Sequence, residues 1–523
     1  MHAGRCRLMV MGSSRRHDRP GPVCDDGAWL ERAFSRVTGA PLVGGNRIRL
    51  LQDGFQNYPA WLRSIRRAER TVHFETYSFS DDHVGRVFAE AFVAKAREGV
   101  SVRLIYDWVG SLRKASRRLW REMEDAGVEI RCFNRPHPLR PHDLLHRDHR
   151  KLLSVDGTIG YVAGLCVGEC WVGDPANEVS PWRDTGVEIS GPAVAGLERA
   201  FAAIWAAASG HRRVTDLLPT PDAPPSAGPI ALRVVAGEPR TTRMLRLDYL
   251  VAAAARETLW ITDPYFAGTT PYIQALRAAA RDGVDVRLLV PGSSDLPFLT
   301  PISLAAYRPL LEAGVRTYQW NGLMLHAKSS VTDGEWGRVG STNLNLASWL
   351  GNYELDVVVH DRQFAGDMQR MYLEDLAGAT ELVLDSVGRR GRSRVNRPPQ
   401  DGSANRPNVG RRRSALTGLS RRTSNLACGA VRIGNAFGSA MSDPRSFDFA
   451  EDRFIVGAGL LLLGLAVVAW FSPRTLTIPA SLLSTWFGVA LLVRGVAMSR
   501  EARRKQLVGE INESQRSPAA PKC

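Results

Sequence analysis

Two short stretches concentrate the groups that phosphoryl chemistry needs. His149-Arg-Lys151-Leu-Leu-Ser-Val-Asp156 and His326-Ala-Lys328-Ser-Ser-Val-Thr-Asp333 share the spacing H-x-K-x4-D. On an extended strand, residues two apart face the same side, so each His and Lys should project together. A lone histidine or lysine is more often structural, and a single match of this kind arises by chance. Two matches at equivalent places in a repeat reverse that judgement. Two imidazoles can divide a displacement at phosphorus, one attacking and the other protonating the leaving oxygen, if their surroundings hold one neutral and one charged. Free imidazole titrates near ~6.5, so modest shifts suffice. The lysines would neutralise phosphate oxygens as charge gathers, and Ser341 and Asn343 would add hydrogen bonds. Because lysines fill the electrostatic role, no metal and no other cofactor is expected.

The elements that must position these groups are themselves duplicated. Ala96-Arg-Glu-Gly-Val-Ser-Val-Arg-Leu-Ile105 aligns with Ala280-Arg-Asp-Gly-Val-Asp-Val-Arg-Leu-Leu289, and Glu124-Asp-Ala-Gly-Val128 aligns with Leu311-Glu-Ala-Gly-Val315, each in the same order relative to its motif. Such self-similarity indicates a doubled domain. In the first copy, residues 72–79 alternate like a strand, 84–97 have helical periodicity, and 102–106 form a β-rich apolar run. The second copy repeats this at 259–263, 273–281 and 286–290. Alternating strands and helices predict an α/β class: two tandem homologous halves, each a mixed sheet flanked by helices. The two halves are expected to meet face to face, with both imidazoles flanking one phosphorus atom.

The predicted boundaries are 1–40 for a leader and first helix, 41–215 and 216–385 for the two halves, and 386–450 for a basic linker. A transmembrane hairpin at 451–498 and a basic polar tail at 499–523 complete the chain. The linker is marked by composition, with 12 arginines and one acid, Asp401, between Arg389 and Arg432. Two apolar runs follow, 454–471 and 478–493, each near the ~17–25 residues that cross a bilayer. Basic residues precede the first run and follow the second, which predicts catalytic halves on the cytoplasmic side of an inner or plasma membrane. The net charge of +15 calls for an anionic partner. Seven scattered cysteines show neither a disulfide framework nor a CxxC pair, and Cys166 with Cys170 lacks a second ligand pair for a metal.

On these residues the chain resembles the phospholipase D superfamily, and within it the bacterial cardiolipin synthase-like branch. The resemblance spans roughly residues 40 to 385, about two ordinary domains. It rests on both motifs and on Gly340-Ser-Thr-Asn343, Trp182-Arg-Asp184-Thr, Asn352-Tyr-Glu354 and Arg147-Asp-His-Arg-Lys151. It implies that His149 is the nucleophile forming a phosphohistidine and that His326 is the acid, then the base. Asp184 and Glu354 would orient the histidines, in an order the sequence leaves open. The motif aspartates Asp156 and Asp333 would brace the motif strand rather than touch substrate. The chain also departs from the branch. Cys166 stands where the first half usually has Asn, Asn345 and Ala347 stand where many relatives carry Asp and Arg, and the apolar runs are C-terminal rather than N-terminal.

The expected function is phosphatidyl transfer between phospholipids at an anionic leaflet. The alternative is hydrolysis of phospholipids through the same intermediate. A nuclease is a weaker expectation, because much of the basic surplus lies in the linker rather than in the catalytic halves. A scaffold with a degenerate site fits poorly with two intact motifs.

Overall fold

The computed structural model describes residues 26–136, 146–174, 177, 179–208, 222–295 and 300–384. The basic linker, the two apolar runs and the polar tail lie outside the described residues. Among the described residues no helix is long and apolar enough to cross a membrane.

The first half contributes strands β1 (Val43–Gln52), β2 (Thr71–Thr76), β3 (Ser101–Asp107), β4 (Glu129–Phe133), β5 (Leu152–Val155), β6 (Ile159–Ala163) and β7 (Thr185–Ser190). The second contributes β8 (Ile230–Gly237), β9 (Thr258–Thr262), β10 (Asp285–Pro291), β11 (Arg316–Trp320), β12 (Ser329–Thr332), β13 (Trp336–Gly340), β14 (Glu354–His360) and β15 (Ala379–Leu382). Rather than two facing sheets, they form one 15-stranded mixed sheet, in the order β4-β3-β2-β5-β6-β7-β1-β8-β14-β13-β12-β9-β10-β11-β15. The halves therefore meet edge to edge at β1 and β8, and the duplication becomes a mirror of strand order about that seam.

The repeated sequence explains the repeated turns. Helices α3 (His83–Arg97) and α7 (Thr270–Arg281) each run into a glycine at equivalent positions, Gly99 at φ 88° and Gly283 at φ 97°. A left-handed residue at this point ends a helix cheaply only if it lacks a Cβ. Each glycine hands the chain to a parallel strand, β3 or β10, beside β2 or β9.

Helices cover both faces. Against the first half, α2 (Asp53–Arg67), α3 and α4 (Arg117–Asp125) bury Tyr58, Trp61, Phe88, Phe92 and Leu119 in one core. The second half packs α1 (Asp26–Thr38), α6 (Arg243–Ala254), α7 and α8 (Thr300–Glu312) in another. The opposite face carries α5 (Val194–Ala208) and α9 (Arg362–Ala377), whose Phe201, Trp205, Phe364 and Met368 share a single core with strands of both halves. Each fully buried side chain of this size contributes about 1.5–3 kcal/mol, so the shared core locks the seam. Polar groups pin it too. Asn46, buried at a β1 irregularity, donates to Val43 and Ile230 carbonyls at 2.7 and 3.2 Å and accepts from the Ala193 N–H at 2.8 Å.

The terminal helices cross the seam. Helix α1 lies at the start of the chain yet packs on the second half, with Phe34 4.6 Å from Trp336 and Glu31 paired with Arg233.

Candidate active site

His149 and Lys151 lie just ahead of β5, and His326 and Lys328 just ahead of β12. Each histidine is fixed through its backbone to the other half. The His149 N–H donates to the Tyr353 carbonyl at 2.9 Å, and the His326 N–H donates to the Arg183 carbonyl at 2.7 Å. All four motif side chains are buried.

The carboxylates resolve the order that the sequence leaves open. His149 Nδ1 lies 3.0 Å from Glu354 Oε2, and His326 Nδ1 lies 2.7 Å from Asp184 Oδ2. The pairing is crossed: each half supplies the acid that holds the other half's imidazole. With Nδ1 engaged, Nε2 is the atom left for chemistry on each ring.

Both carboxylates are themselves held. Ser341 Oγ donates to Glu354 Oε2 at 2.5 Å and accepts from the Leu355 N–H at 2.9 Å, while Asn352 donates to Oε1 at 3.1 Å. Ser341, expected as a phosphate ligand, here turns its hydroxyl to Glu354. Asp184 accepts from the Trp171 indole at 3.0 Å and from the Thr185 N–H at 2.8 Å. Gly164 makes room for it, since a Cβ there would lie 2.1 Å from Asp184 Oδ1.

Asp156 and Asp333 stand apart from this cluster. Five residues of strand separate each from its motif lysine, about 16 Å of extended chain. Both open an Asp-Gly hairpin turn in the left-handed region, at φ 55° and 53°. Asp156 accepts from the N–H groups of Glu69, Arg70 and Thr71 at 3.0, 2.7 and 2.8 Å, and Asp333 from Arg256, Glu257 and Thr258 at 3.0, 2.8 and 2.9 Å. Each ties its motif hairpin to the start of the neighbouring parallel strand. Although counted among the candidate catalytic residues of the motif, they touch backbone far from the histidines.

Burial disfavours charge on both rings. Burial lowers the His149 imidazole below its ordinary value, opposed by Glu354 and reinforced by Lys151 and Lys328. Burial, then the Lys328 ammonium, lower His326 to about 4, despite Asp184. Lys328 Nζ sits 2.9 Å from Nε2 and 3.0 Å from Nδ1 of that ring, so it lies against the face rather than in line with one nitrogen. Burial brings Lys328 itself down to about 8, with Asp184 pulling the other way and Lys151 adding to the fall. Burial works against charge on Asp184 and Glu354, yet each is held below its ordinary value by its own histidine and the nearby lysines. With both imidazoles lowered, two ammoniums, Lys151 and Lys328, stand against two carboxylates, Asp184 and Glu354, and the ammoniums are the cations that could meet an anionic guest.

Sequence reasoning missed the aromatic walls. The Tyr77 ring packs edge-on to His149 at 5.1 Å. Around His326 stand Trp171, Trp182 and Tyr265, at 5.8, 5.7 and 5.9 Å. Trp182 sits beside Asp184 in a recognised phrase and could have been found. Trp171 carries no periodic or motif signal. Asn343 is buried, with Nδ2 3.3 Å from Ser348 Oγ and Oδ1 without a hydrogen-bond partner. Cys166 holds the equivalent place in the first half. It is buried, a free thiol, and its carbonyl accepts from Tyr58 at 2.8 Å.

Comparison with known proteins shows what the chain is similar to. The family model described as cardiolipin synthase, PLD-like domain, matches residues 61–167 and 251–376. Cardiolipin synthase A of Pseudomonas fluorescens is 33% identical over 68% of this chain and 73% of its own length. The cardiolipin synthase of Alkalihalophilus pseudofirmus is 30% identical over 68% and 70%. Among solved structures, phosphatidylserine synthase from Haemophilus influenzae superposes with a TM-score of 0.54 at 14% identity, over 68% of this chain and 92% of that one, and so shares its fold.

Proposed function

From the premise that this chain belongs to the cardiolipin synthase family of phospholipase D-like proteins, we propose that it transfers a phosphatidyl group between phospholipids through a phosphohistidine intermediate. The observation that supports this reading is the crossed His–carboxylate pairing, which engages Nδ1 of both rings and leaves each Nε2 for chemistry at a phosphodiester.

In the proposed reaction the phosphodiester enters between Lys151 and Lys328, and its negative charge offsets the ammonium field that depresses His326. His326 then takes up a proton. His149 Nε2 attacks phosphorus, the bond to the leaving alcohol breaks, and the His326 proton passes to that oxygen. A second lipid's hydroxyl then gives its proton back to His326 while its oxygen displaces His149 from phosphorus. The lysines stabilise the charge on the phosphoryl oxygens in both steps. Glu354 keeps the His149 proton on Nδ1 and steadies the cation formed on attack. Asn343 is the remaining candidate hydrogen-bond donor to phosphate.

This reading puts the catalytic halves against the anionic cytoplasmic leaflet, with the apolar runs at 454–471 and 478–493 as anchor. Purified full-length protein incubated with phosphatidylglycerol should yield cardiolipin and glycerol in equal amounts by mass spectrometry, and His149→Ala should yield neither. Phosphatidic acid without cardiolipin would overturn transfer in favour of hydrolysis.

A further inference from the structure

We propose that loops at the mouth of the active site form a docking rim for an anionic phospholipid bilayer, with Val109, Leu112, Val179 and Leu323 entering the acyl boundary and Arg113, Lys114 and Arg117 gripping headgroups. The proposal rests on the phosphatidyl-transfer reading for its purpose, but it is argued from the surface itself.

Single exposed aliphatic residues need no explanation; their grouping does. Eight large hydrophobic residues stand well exposed among the described residues, and these four, at 39, 48, 44 and 49% exposure, belong to segments that end on site residues. Val109 follows Asp107, whose carboxylate accepts from the Asp148 N–H at 3.0 Å, one residue before His149. Leu112 closes the same loop through its N–H to the Val109 carbonyl at 3.3 Å. Leu323 lies three residues before His326, and the next residue, Met324, accepts from the Arg183 N–H at 2.9 Å. Val179 lies three residues before Trp182, whose ring is 5.7 Å from that of His326. Distant stretches of chain, each tied to a residue at or beside the two histidines, thus each carry an exposed aliphatic side chain.

Charge favours the same occupant. Arg113, Lys114 and Arg117 are exposed immediately beyond Leu112. Of the nearby acids, Asp81, whose N–H donates to the Lys114 carbonyl at 2.8 Å, pairs with Arg86 at 2.6 Å, Asp295 accepts from the Tyr265 hydroxyl at 2.7 Å and Asp174 from the Asn177 side chain at 2.5 Å. Aliphatic tips beside basic residues match a monolayer-penetrating surface; the aromatic rings of this site lie against the histidines, whereas the exposed large hydrophobic residues of these loops are aliphatic and offer no stacking face to a single strand. With both histidines buried, a lipid phosphodiester must rise from the bilayer to reach them, and a seated rim shortens that path.

Hydrogen exchange of the full-length protein in phosphatidylglycerol nanodiscs, compared with neutral detergent micelles, tests the surface directly. Exchange at residues 109–115 and 322–325 should slow at least threefold, with no change around Leu373 on α9. Unchanged exchange at both loops overturns the rim, whatever the turnover. The double variant Leu112→Asp, Leu323→Asp should lose at least tenfold in turnover of bilayer phosphatidylglycerol, yet stay within twofold on monomeric dihexanoyl phosphatidylglycerol. Equal loss on both substrates overturns the proposal, because the damage then lies in the site. Leu373→Asp serves as the exposed control and should lose neither. Protection by the nanodisc without transfer to any lipid would sustain the rim and sink the phosphatidyl reading.

Discussion

His149 and Glu354 lie 205 positions apart in the chain, yet the Nδ1 of one is 3.0 Å from the Oε2 of the other. Asp184 and His326, 142 positions apart, repeat the relationship in the opposite direction. Neither half holds a complete working imidazole of its own.

Replacing either carboxylate by its amide should therefore disable the distant histidine while leaving its own half folded. In Glu354→Gln the side chain can donate to Nδ1 and force the proton onto Nε2, the atom needed for attack. We expect kcat to fall about 10²–10⁴-fold, and rapid-quench labelling to trap no phosphohistidine. Asp184→Asn should fall by a similar factor through loss of proton transfer at His326. Retention of near-normal kcat in either variant would contradict the pairing.

Arg150 is fully buried and donates to three backbone carbonyls, of Glu354 at 3.1 Å, Ala200 at 3.0 Å and Gly237 at 2.9 Å. Two of these belong to the second half, so one side chain crosses the seam. Arg150→Met should remove all three of these charge-assisted hydrogen bonds and cost about 3 kcal/mol or more. Urea denaturation would show this as a lower midpoint at unchanged slope.

Gly164→Ala tests how closely Asp184 must be approached. The new methyl would meet the carboxylate at 2.1 Å, so Asp184 has to move off His326. Activity should fall at least tenfold, and the backbone here is not in the left-handed region, so strain at φ does not explain the loss. A fully active alanine variant would show that Asp184 has slack.

Acid should unfold the protein through its histidines before its carboxylates. His326 is held at about 4 in the folded state by burial and Lys328, against about 6.5 when unfolded. Between those values the unfolded chain binds more protons, so stability is fully present above pH ~6.5 and is lost as pH falls toward 4. His149 shifts in the same direction and adds to it. Each fully differing proton contributes a slope of about 1.4 kcal/mol per pH unit, and His326→Gln should flatten it. Urea midpoints from pH 4.5 to 7 would read the difference.

Trp171→Phe removes one hydrogen bond and keeps an aromatic ring. Asp184 Oδ2 would lose the indole donor at 3.0 Å. The carboxylate then becomes a stronger partner for His326, and the pH–rate profile should shift upward on the limb assigned to that ring. A purely structural tryptophan would leave the profile in place while lowering thermal stability.

Much of this was legible because chemistry and duplication reinforce each other. The motif histidines and lysines, the α/β alternation and the two carboxylate phrases are all local patterns. Three things were hidden for a physical reason. The crossed pairing depends on which strand ends meet, and nothing local encodes that. The shared sheet depends on β1 and β8 finding each other, and an edge strand looks like any other strand in sequence. The Ser341 contact with Glu354 at 2.5 Å was hidden because a hydroxyl near a phosphate motif is compatible with either partner, and local sequence does not show which lies in reach. The strand expected at 72–79 stops at Thr76, since Tyr77 leaves the sheet to wall His149.

The position of α1 sets an order of events during synthesis. Phe34 packs against Trp336, which the ribosome adds roughly 15–60 s later. Until then the first helix has an apolar face without its partner, and the nascent chain must carry that exposed surface past the whole of the first half. The apolar face of α1 is therefore covered only once β13 has been made.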